Sequence, residues 1–345
     1  MPTVNANGLT LDYESFGDPA APPIVLIMGL GMPAIAWPDP FVNGLVERGF
    51  RVIRFDNRDC GHSTKFHAGR IPNLTVAIAK SMLRIPVRAP YNLDHMAADT
   101  VGLMDGLGIA RAHIVGASMG GMIAQMVAAR YPARVTSLTS IMSSSGNPSP
   151  KVSLGKRHAI NAIISRPTDP TNIESVVAHL VHVFGVIGSP GFPADIDILK
   201  MNFERIARRG LYPPGTARQL LAILSSGDRR AQIARITAPT LVIHGADDPL
   251  VPVAAGRDTA AHIRGAQLQI IPGMGHDFAP GLQPLLAEMI AAHCRAAEPA
   301  TQPAPTAAPA EAAPAAPVDT APVAGEAPAQ ATVPPNTPPP TEAAA

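Results

Sequence analysis

The sequence predicts an α/β fold in which helices cover both faces of a mostly parallel central sheet. Short apolar runs of strand length, such as residues 23–28 and 112–115, alternate along the chain with segments of helix length. Such alternation implies parallel strands joined by crossover helices. The run at residues 23–28 is continuously apolar, as expected for a strand that is buried on both faces.

The elements follow one another in a regular order. The chain opens with an antiparallel hairpin of residues 3–6 and 9–15, because Asn7-Gly8 suits a two-residue turn in which both positions tolerate positive φ. Further strands are predicted at residues 23–28, 51–55, 112–115, 135–141, 240–244 and 267–271. Helices are predicted at residues 41–48, 93–107, 120–130, 252–264 and 282–293.

The alternation stops at two places. Residues 144–226 are an irregular, mainly helical insertion, which we interpret as a cap over the site, because loops at the carboxyl ends of parallel strands carry the functional groups. Residues 1–296 then form one domain that includes this cap. Residues 297–345 are mostly Ala, Pro and Thr without aromatics, so we predict a disordered tail. An inert solubilising extension is the simplest interpretation; a docking segment or a spacer is the alternative, and a partner for it is unknown.

Composition excludes several classes of protein. The formal net charge is +1, or about +6 without the five unbalanced acids of the tail. The basic residues are scattered, apart from a small cluster at Arg205, Arg208 and Arg209. We therefore predict no nucleic-acid binding. Cys60 and Cys294 lack metal-ligand spacing, so we expect neither a disulfide framework nor a metal site. A signal sequence and an apolar run of about 18 residues are absent as written, which makes the cytoplasm the default location.

A second long connection, residues 67–90, contains an amphipathic piece at residues 76–83. It could pack beside the cap, line an acyl pocket or touch a lipid surface, and packing is the simplest of these for so short a piece. Peripheral membrane contact therefore stays open without direct support.

The strongest local signal for chemistry is Gly116-Ala117-Ser118-Met119-Gly120-Gly121, between a buried strand and a helix. A strand that turns abruptly into a helix strains the serine backbone, and flanking residues without Cβ allow the turn to close while Oγ stays exposed. Ser118 is thus a candidate nucleophile.

A serine nucleophile needs a histidine base and a carboxylate that orients the histidine. His276 follows the last predicted strand in a glycine-flanked loop, and the adjacent acids Asp247 and Asp248 follow the strand before it. Serine, acid, histidine is one of the orders in which such triads occur. Most of the other histidines are expected on the surface or in the core, and His244 is expected to pack near the site.

Acyl transfer also needs hydrogen-bond donors for the oxyanion. The Met119 amide begins the helix after Ser118, where the helix dipole favours negative charge. The second donor is expected in the loop Met28-Gly29-Leu30-Gly31, and we nominate the Leu30 amide.

Over nearly all of residues 1–295 the chain resembles the α/β-hydrolase superfamily. Ile27-Met28-Gly29, Trp37-Pro38-Asp39, the segment at residues 52–59, the Ser118 motif and Pro272-Gly273-Met274-Gly275-His276 are similar to the aclacinomycin methylesterase-like branch and related bacterial lipases and esterases. The family pattern Gly-x-x-Asp-x-x-Val-Pro matches Gly245, Asp248, Val251 and Pro252, so the resemblance favours Asp248 over Asp247, which would then cap its turn.

Two positions depart from the family pattern. Met28 stands where many relatives have histidine, a change that leaves a backbone donor intact. Asp59 replaces the first glycine of the family turn D-x-R-G-x-G-x-S, which we expect to brace the site from below.

The resemblance implies hydrolysis of a carboxylic ester, from a small molecule or a lipid, without cofactor or metal. Leu30, Met119, Trp37, Val183 and Phe184 are expected to border an apolar pocket. A thioesterase, a carbon–carbon bond hydrolase or a cofactor-free perhydrolase on the same scaffold is the alternative, and a ligand-binding protein without activity is a further one.

Overall fold

The structure is a computed structural model that describes residues 2–67 and 72–298. Within these residues eight strands form one sheet in the order β1-β2-β4-β3-β5-β6-β7-β8. The strands are β1 Thr3–Ala6, β2 Leu9–Phe16, β3 Pro23–Ile27, β4 Arg51–Phe55, β5 Ala112–Ala117, β6 Val135–Ile141, β7 Thr240–Gly245 and β8 Gln267–Ile271. Strands β1 and β2 run antiparallel to their neighbours, and the other six are parallel. The carboxyl ends of those six strands therefore meet at one edge of the sheet.

The α-helices lie between the strands and in the long connections. They are α1 Asp39–Val46, α2 Leu74–Met82, α3 Leu93–Gly106, α4 Met119–Arg130, α5 Pro150–Ser153, α6 Arg157–Ile164, α7 Ile173–Ile187, α8 Ile196–Gly210, α9 Pro213–Ser226, α10 Arg230–Ile233, α11 Val253–His262 and α12 Gln283–Ala297. Helices α5 to α9 all fall within the residues that the sequence predicts as a cap.

The core lies in two layers, one on each face of the sheet. Strand side chains that point to one face, such as Val25 and Ile114, pack against α3 and α4. Side chains that point to the other face, such as Leu26 and Val115, pack against α1 and α12. Because both faces are covered, every residue of β5 is buried, which explains why its sequence is apolar apart from His113. The predicted α/β class and its mostly parallel sheet are confirmed.

The predicted boundaries agree with the observed ones within a few residues. The opening hairpin turns at Asn7 and Gly8 with φ of 51° and 76°, as the Asn-Gly pair predicted. The main difference is at the end of the folded body, where α12 continues to Ala297 and Glu298 accepts a hydrogen bond from His113 Nε2 at 2.7 Å. Ala297 and Glu298, which the sequence assigns to the tail, thus continue the body: Ala297 ends α12, and Glu298 contacts the buried His113. The rest of the predicted tail lies outside the described residues.

Several histidines are buried on this fold. Burial lowers the pKa of His113, an effect that Glu298 opposes, and burial likewise lowers the pKa of His293, whose Nε2 lies 3.2 Å from the Leu138 carbonyl. Both imidazoles are therefore held in the neutral form.

Candidate active site

Ser118 sits on a sharp turn between β5 and α4 at the carboxyl edge of the sheet. Its φ of 54° and ψ of −119° lie outside the regions that residues with a side chain prefer, which is backbone strain of the kind stored at functional sites. The turn closes only with glycine nearby, because a Cβ on Gly116 would lie 2.1 Å from the Gly120 carbonyl oxygen. A Cβ on Gly120 would lie 1.9 Å from the carbonyl oxygen of Ile27. The strand, turn and helix that the motif predicted are all present.

The structure brings His276 and Asp248 to Ser118 from two other loops. His276 Nε2 lies 3.0 Å from Ser118 Oγ, and His276 Nδ1 lies 2.7 Å from Asp248 Oδ2. A carboxylate accepts only, so Nδ1 carries the proton of the neutral imidazole and Nε2 is left as a proton acceptor facing the serine. This is the arrangement of a nucleophile, a general base and an orienting acid.

The two adjacent acids have different contacts. The Oδ1 atom of Asp248 accepts hydrogen bonds from the amides of Leu250 and Val251 at 2.9 and 2.8 Å, which leaves Oδ2 for His276. Asp247 Oδ2 instead accepts from the Gly273 amide at 2.8 Å. Asp248 therefore holds the imidazole, and Asp247 closes the turn between the β7 and β8 loops.

His244 lies behind Asp248 at the end of β7. Its Nε2 is 2.9 Å from the Val251 carbonyl and 3.6 Å from Asp248 Oδ2. Burial lowers the pKa of His244, although the Val251 carbonyl and Asp248 oppose this. It packs near the site, as the sequence indicated, and burial favours its neutral form.

The loop after β3 lies directly against the serine. A Cβ on Gly29 would be 3.3 Å from Ser118 Cβ and 3.8 Å from Ser118 Oγ, so the following amide of Leu30 begins beside Ser118. Met119 is the first residue of α4, where helix amides lack a partner in the helix. Neither the Leu30 nor the Met119 amide donates to another group of residues 2–67 and 72–298. Both are free to donate to a substrate oxygen.

Three of the residues nominated for the pocket, Trp37, Val183 and Phe184, fall into two separate packed clusters. Trp37 is fully buried and contacts Phe278, with 4.7 Å between ring centroids. Val183 and Phe184 lie on α7, where Phe184 contacts Phe203 of α8 at 4.8 Å between centroids. Since Phe278 is two residues from His276, Trp37 supports the histidine loop. Their role as pocket lining stays a prediction.

Comparison with known proteins points to a family. A family model described as alpha/beta hydrolase fold matches residues 22–161, and a serine aminopeptidase model matches residues 206–280. A meta-cleavage product hydrolase from Pseudomonas fluorescens has a TM-score of 0.67 at 20% identity, over 86% of this chain and 98% of that one. The chain has the α/β-hydrolase fold.

Among curated α/β-hydrolases, rhodomycin D methylesterase DnrP of Streptomyces peucetius is 29% identical over 316 residues, which cover 86% of this chain and 99% of that protein. A putative carbamate hydrolase, RutD of a Caulobacter species, is 27% identical over 271 residues, or 78% and 89% of the two chains. The enol-lactonase of Burkholderia xenovorans has a TM-score of 0.62 at 26% identity, over 85% of this chain and all of its own. The resemblance to the methylesterase branch is confirmed.

This α/β-hydrolase braces its site through the turn after β4. Asp59 adopts φ of 65°, a conformation that the glycine of the family pattern would adopt without strain. Its carboxylate accepts two hydrogen bonds of 2.8 Å from Arg218 of α9 and one of 2.7 Å from Tyr91 Oη. Asp56 lies 2.9 Å from Arg209 of α8. The two aspartates thus tie the hydrolase body to α8 and α9 through buried ion pairs.

Sequence reasoning missed Gln219, which is fully buried on α9. Its Oε1 accepts from the Gly31 amide at 2.8 Å, and its Nε2 donates to the Arg58 carbonyl at 2.7 Å. Asn57 Nδ2 holds the same loop by donating to the Met28 carbonyl at 3.0 Å. Gln219 and Asn57 therefore fix the backbone around the Leu30 amide, and a sequence signal for either role is absent from the patterns above.

The histidine loop of the hydrolase is held by the end of α7. The His276 amide donates to the Ile187 carbonyl at 2.7 Å, and the Gly275 amide donates to Ser189 Oγ at 2.9 Å. Ser189 Oγ also donates to Asp277. Burial raises the pKa of Asp277, an effect that its hydrogen bonds with Ser189 oppose. The end of α7 and Ser189 thereby set the position of His276.

Neither cysteine in the described part of the chain is a second candidate nucleophile. Cys60 and Cys294 are free and buried, and burial raises the pKa of Cys294 to about 12 and that of Cys60 further. Neither thiol forms a thiolate at neutral pH. Among residues 2–67 and 72–298, we find no group of His, Cys, Asp or Glu side chains that could hold a metal ion. The helices in those ranges are also too short or too polar to cross a membrane.

Proposed function

We propose that this chain, a carboxylic ester hydrolase, cleaves its substrate through an acyl-enzyme on Ser118, with His276 as the general base and Asp248 as its orienting acid. The observation that carries the proposal is the imidazole of His276, which lies 3.0 Å from Ser118 Oγ on one side and 2.7 Å from Asp248 on the other. The free serine hydroxyl is a weak nucleophile, and this contact supplies the base that activates it.

In the first half-reaction, Ser118 Oγ attacks the ester carbon while His276 Nε2 takes the hydroxyl proton. The imidazolium that forms is stabilised by Asp248, and it returns the proton to the alcohol as the carbon–oxygen bond breaks. In the second half-reaction, His276 takes a proton from water, which attacks the acyl-enzyme. The imidazole then returns that proton to Ser118 Oγ as the acid is released. The same imidazole thus serves as base and acid in both halves.

The amides of Met119 and Leu30 are the proposed donors to the oxyanion. Each lacks a protein acceptor in the described ranges and each flanks Ser118, one from α4 and one from the loop after β3. Removal of one such donor typically costs about 3 kcal/mol of transition-state stabilisation. The Met28 position contributes only its backbone, so the replacement of histidine there leaves the donors in place.

For the substrate we propose an ester of an apolar acid with a small alcohol, such as a methyl ester. The support is the curated methylesterase relative, which matches over 86% of this chain. Residues 144–226 would cover the site as a cap, because the end of α7 contacts the His276 loop and α9 contacts the loop of Leu30. Val183, Phe184 and Trp37 are the proposed apolar surroundings of the acid group.

Ser118→Ala tests the proposal directly. We expect loss of about 10⁶-fold in kcat on p-nitrophenyl esters, in line with removal of a serine nucleophile, and complete loss of labelling by an organophosphonate. Ser153→Ala, at an exposed position of α5, is the matched control and should keep both properties. Labelling that persists on another residue of the Ser118→Ala protein would overturn the assignment.

The same assays separate the alternative chemistries. Esters of increasing acyl length and methyl esters are compared with acyl-CoA thioesters, with a carbon–carbon cleavage substrate and with peroxide plus halide. Ester turnover that exceeds the others supports the proposal. Preferential turnover of a thioester, or binding without turnover of any substrate, would overturn it.

A further inference from the structure

The segment from α2 to Arg88 presents large apolar and basic side chains to solvent on one ordered element. Leu83 is 70% exposed, Val76 is 51% exposed and Ile85 is 45% exposed. Lys80 and Arg84 are exposed between them. We call this surface the α2 patch and define it as Val76, Lys80, Leu83, Arg84, Ile85 and Arg88.

These apolar side chains are not needed to pack the helix. Leu74, Ala77, Ile78 and Ser81 form the inward face of α2 at helical spacing, and Ala77 is buried. The helix packs against α9. Val76 and Leu83 lie outside that inward stripe, and isolated exposed apolar residues are common, but a cluster of them marks an interaction surface.

The patch is presented by a defined helix end. Asn73 caps the start of α2 by accepting from the Val76 amide at 3.2 Å. At the other end, Arg84 takes φ of 58° and the Ile85 amide donates to the Lys80 carbonyl at 2.8 Å. This is the closing hydrogen bond of a left-handed helix terminus, and it turns Leu83, Arg84 and Ile85 outward together.

The charge of the region has one sign. The 34 residues from Cys60 to Leu93 contain Lys65, Arg70, Lys80, Arg84 and Arg88 and no Asp or Glu. Helix α9, against which α2 packs, also contains no acid. Lys80, Arg84 and Arg88 form no ion pair with any residue that the structure describes. Their charge is therefore available to an anionic partner.

We infer that the α2 patch binds the surface of an anionic lipid bilayer. Basic side chains attract anionic headgroups, and apolar side chains beside them enter the boundary between headgroups and acyl chains, so a surface with both is matched by such a bilayer. The acidic C-terminal residues are complementary in charge, but they stand among Ala, Pro and Thr, which leave Leu83 and Ile85 without a comparable partner. A second copy of the chain would bring basic residues against basic residues.

The test uses the full chain and vesicles. Co-sedimentation is measured with phosphatidylcholine alone and with an equal mixture of phosphatidylcholine and phosphatidylglycerol, at low salt and at high salt. We expect binding to the anionic vesicles that weakens with salt. Equal binding to both vesicles, or no binding to either, overturns the inference.

Two variants locate the binding. Lys80→Glu with Arg84→Glu should lower the partition coefficient at least about thirtyfold, since loss of each basic charge near an anionic surface alone removes about a fivefold factor. Leu83→Ser with Ile85→Ser should lower it about tenfold at constant charge. Unchanged binding in both variants overturns the inference.

The control variants carry the same changes elsewhere. Lys151→Glu with Arg264→Glu alters exposed charges, and Ile196→Ser with Met201→Ser alters exposed apolar residues of α8. Both should bind vesicles within about twofold of the parent, and a loss equal to that of the patch variants overturns the assignment to α2. Hydrolysis of a soluble short ester should be the same in all variants, so vesicle binding and the proposed catalysis succeed or fail separately.

Sedimentation of the protein alone tests whether a second copy of the chain binds the α2 patch. A monomer is expected at micromolar concentration. A dimer that Leu83→Ser with Ile85→Ser dissociates would assign the patch to contact between copies and overturn the inference.

Discussion

Replacement of Gln219 by methionine tests how the proposed oxyanion donor is held. The methionine side chain has nearly the same length, but it cannot accept from the Gly31 amide or donate to the Arg58 carbonyl, which Gln219 contacts at 2.8 and 2.7 Å. The Gly31 amide belongs to the peptide that joins Leu30 to Gly31, so its release loosens the backbone next to the Leu30 amide. The substitution therefore perturbs the donor without touching the triad.

The size of the effect follows from the contacts that are lost and kept. Two buried backbone groups lose their partners, at about 1–3 kcal/mol of unfolding free energy each. Complete loss of one oxyanion donor costs about 10²–10³ in kcat. Asn57 still holds the Met28 carbonyl at 3.0 Å, so the loop keeps one of its two anchors. We therefore expect kcat to fall about 10- to 100-fold, with KM changed little.

Steady-state kinetics on a p-nitrophenyl ester and urea denaturation measure the two effects separately. Leu221→Ala is the matched control, because Leu221 is fully buried on the same helix and its truncation costs about 2–5 kcal/mol in packing. That variant should lose stability and keep kcat within about twofold under conditions where it is folded. If Gln219→Met lost stability but kept the parent kcat, the proposed role of the Leu30 loop would be refuted.

Three further predictions concern the carboxylates and the buried histidines. Asp248→Asn should lower kcat about 10⁴-fold through the wrong imidazole tautomer, whereas Asp247→Asn should change it less than about tenfold; equal losses would contradict the assignment. Asp59→Gly should lower the free energy of unfolding by about 3–5 kcal/mol, because it leaves Arg218 buried without its partner. In urea denaturation, adding Arg218→Met should restore part of that free energy. If nothing is recovered, the ion pair does not explain the loss. Burial lowers the pKa of the three buried histidines His113, His244 and His293 below the unfolded value, so the unfolded state binds more protons below about pH 6.5. The free energy of unfolding should therefore fall as pH drops from about 7.5 to 5.5. In His293→Asn the free energy of unfolding should depend less steeply on pH, and an unchanged slope would show that His293 does not contribute.

The ion pairs of three neighbouring arginines show a limit of prediction from the sequence. Arg205, Arg208 and Arg209 stand out as a basic cluster in the sequence, yet each has a different partner in the structure. Arg205 pairs with Asp39 and Arg208 with Glu204 at the surface, while Arg209 is buried between two aspartates. The local charge pattern could not distinguish the exposed ion pairs from the buried one, because the partners of Arg209 come from β2 and from the end of β4.

The proposed triad likewise has one part that local sequence predicted and one part that it did not. The neighbourhood of Ser118 was predictable because its constraint is local: a strand, a turn that excludes Cβ atoms and a helix within a few residues. The choice between Asp247 and Asp248 depended on family resemblance, since both follow β7. The structure separates them by placing one carboxylate against His276 and the other against Gly273.

The sequence by itself determined the alternation of strands and helices, the hairpin turn and the strained serine, because each depends on residues that are neighbours in the chain. Only the tertiary structure decided what holds the site. Gln219 reaches the Gly31 amide across 188 positions, and His276 reaches Ser118 across 158. Such contacts follow from the order of strands in the sheet and from the path of the helices above it, and hydrophobic periodicity carries no information about which distant side chains meet.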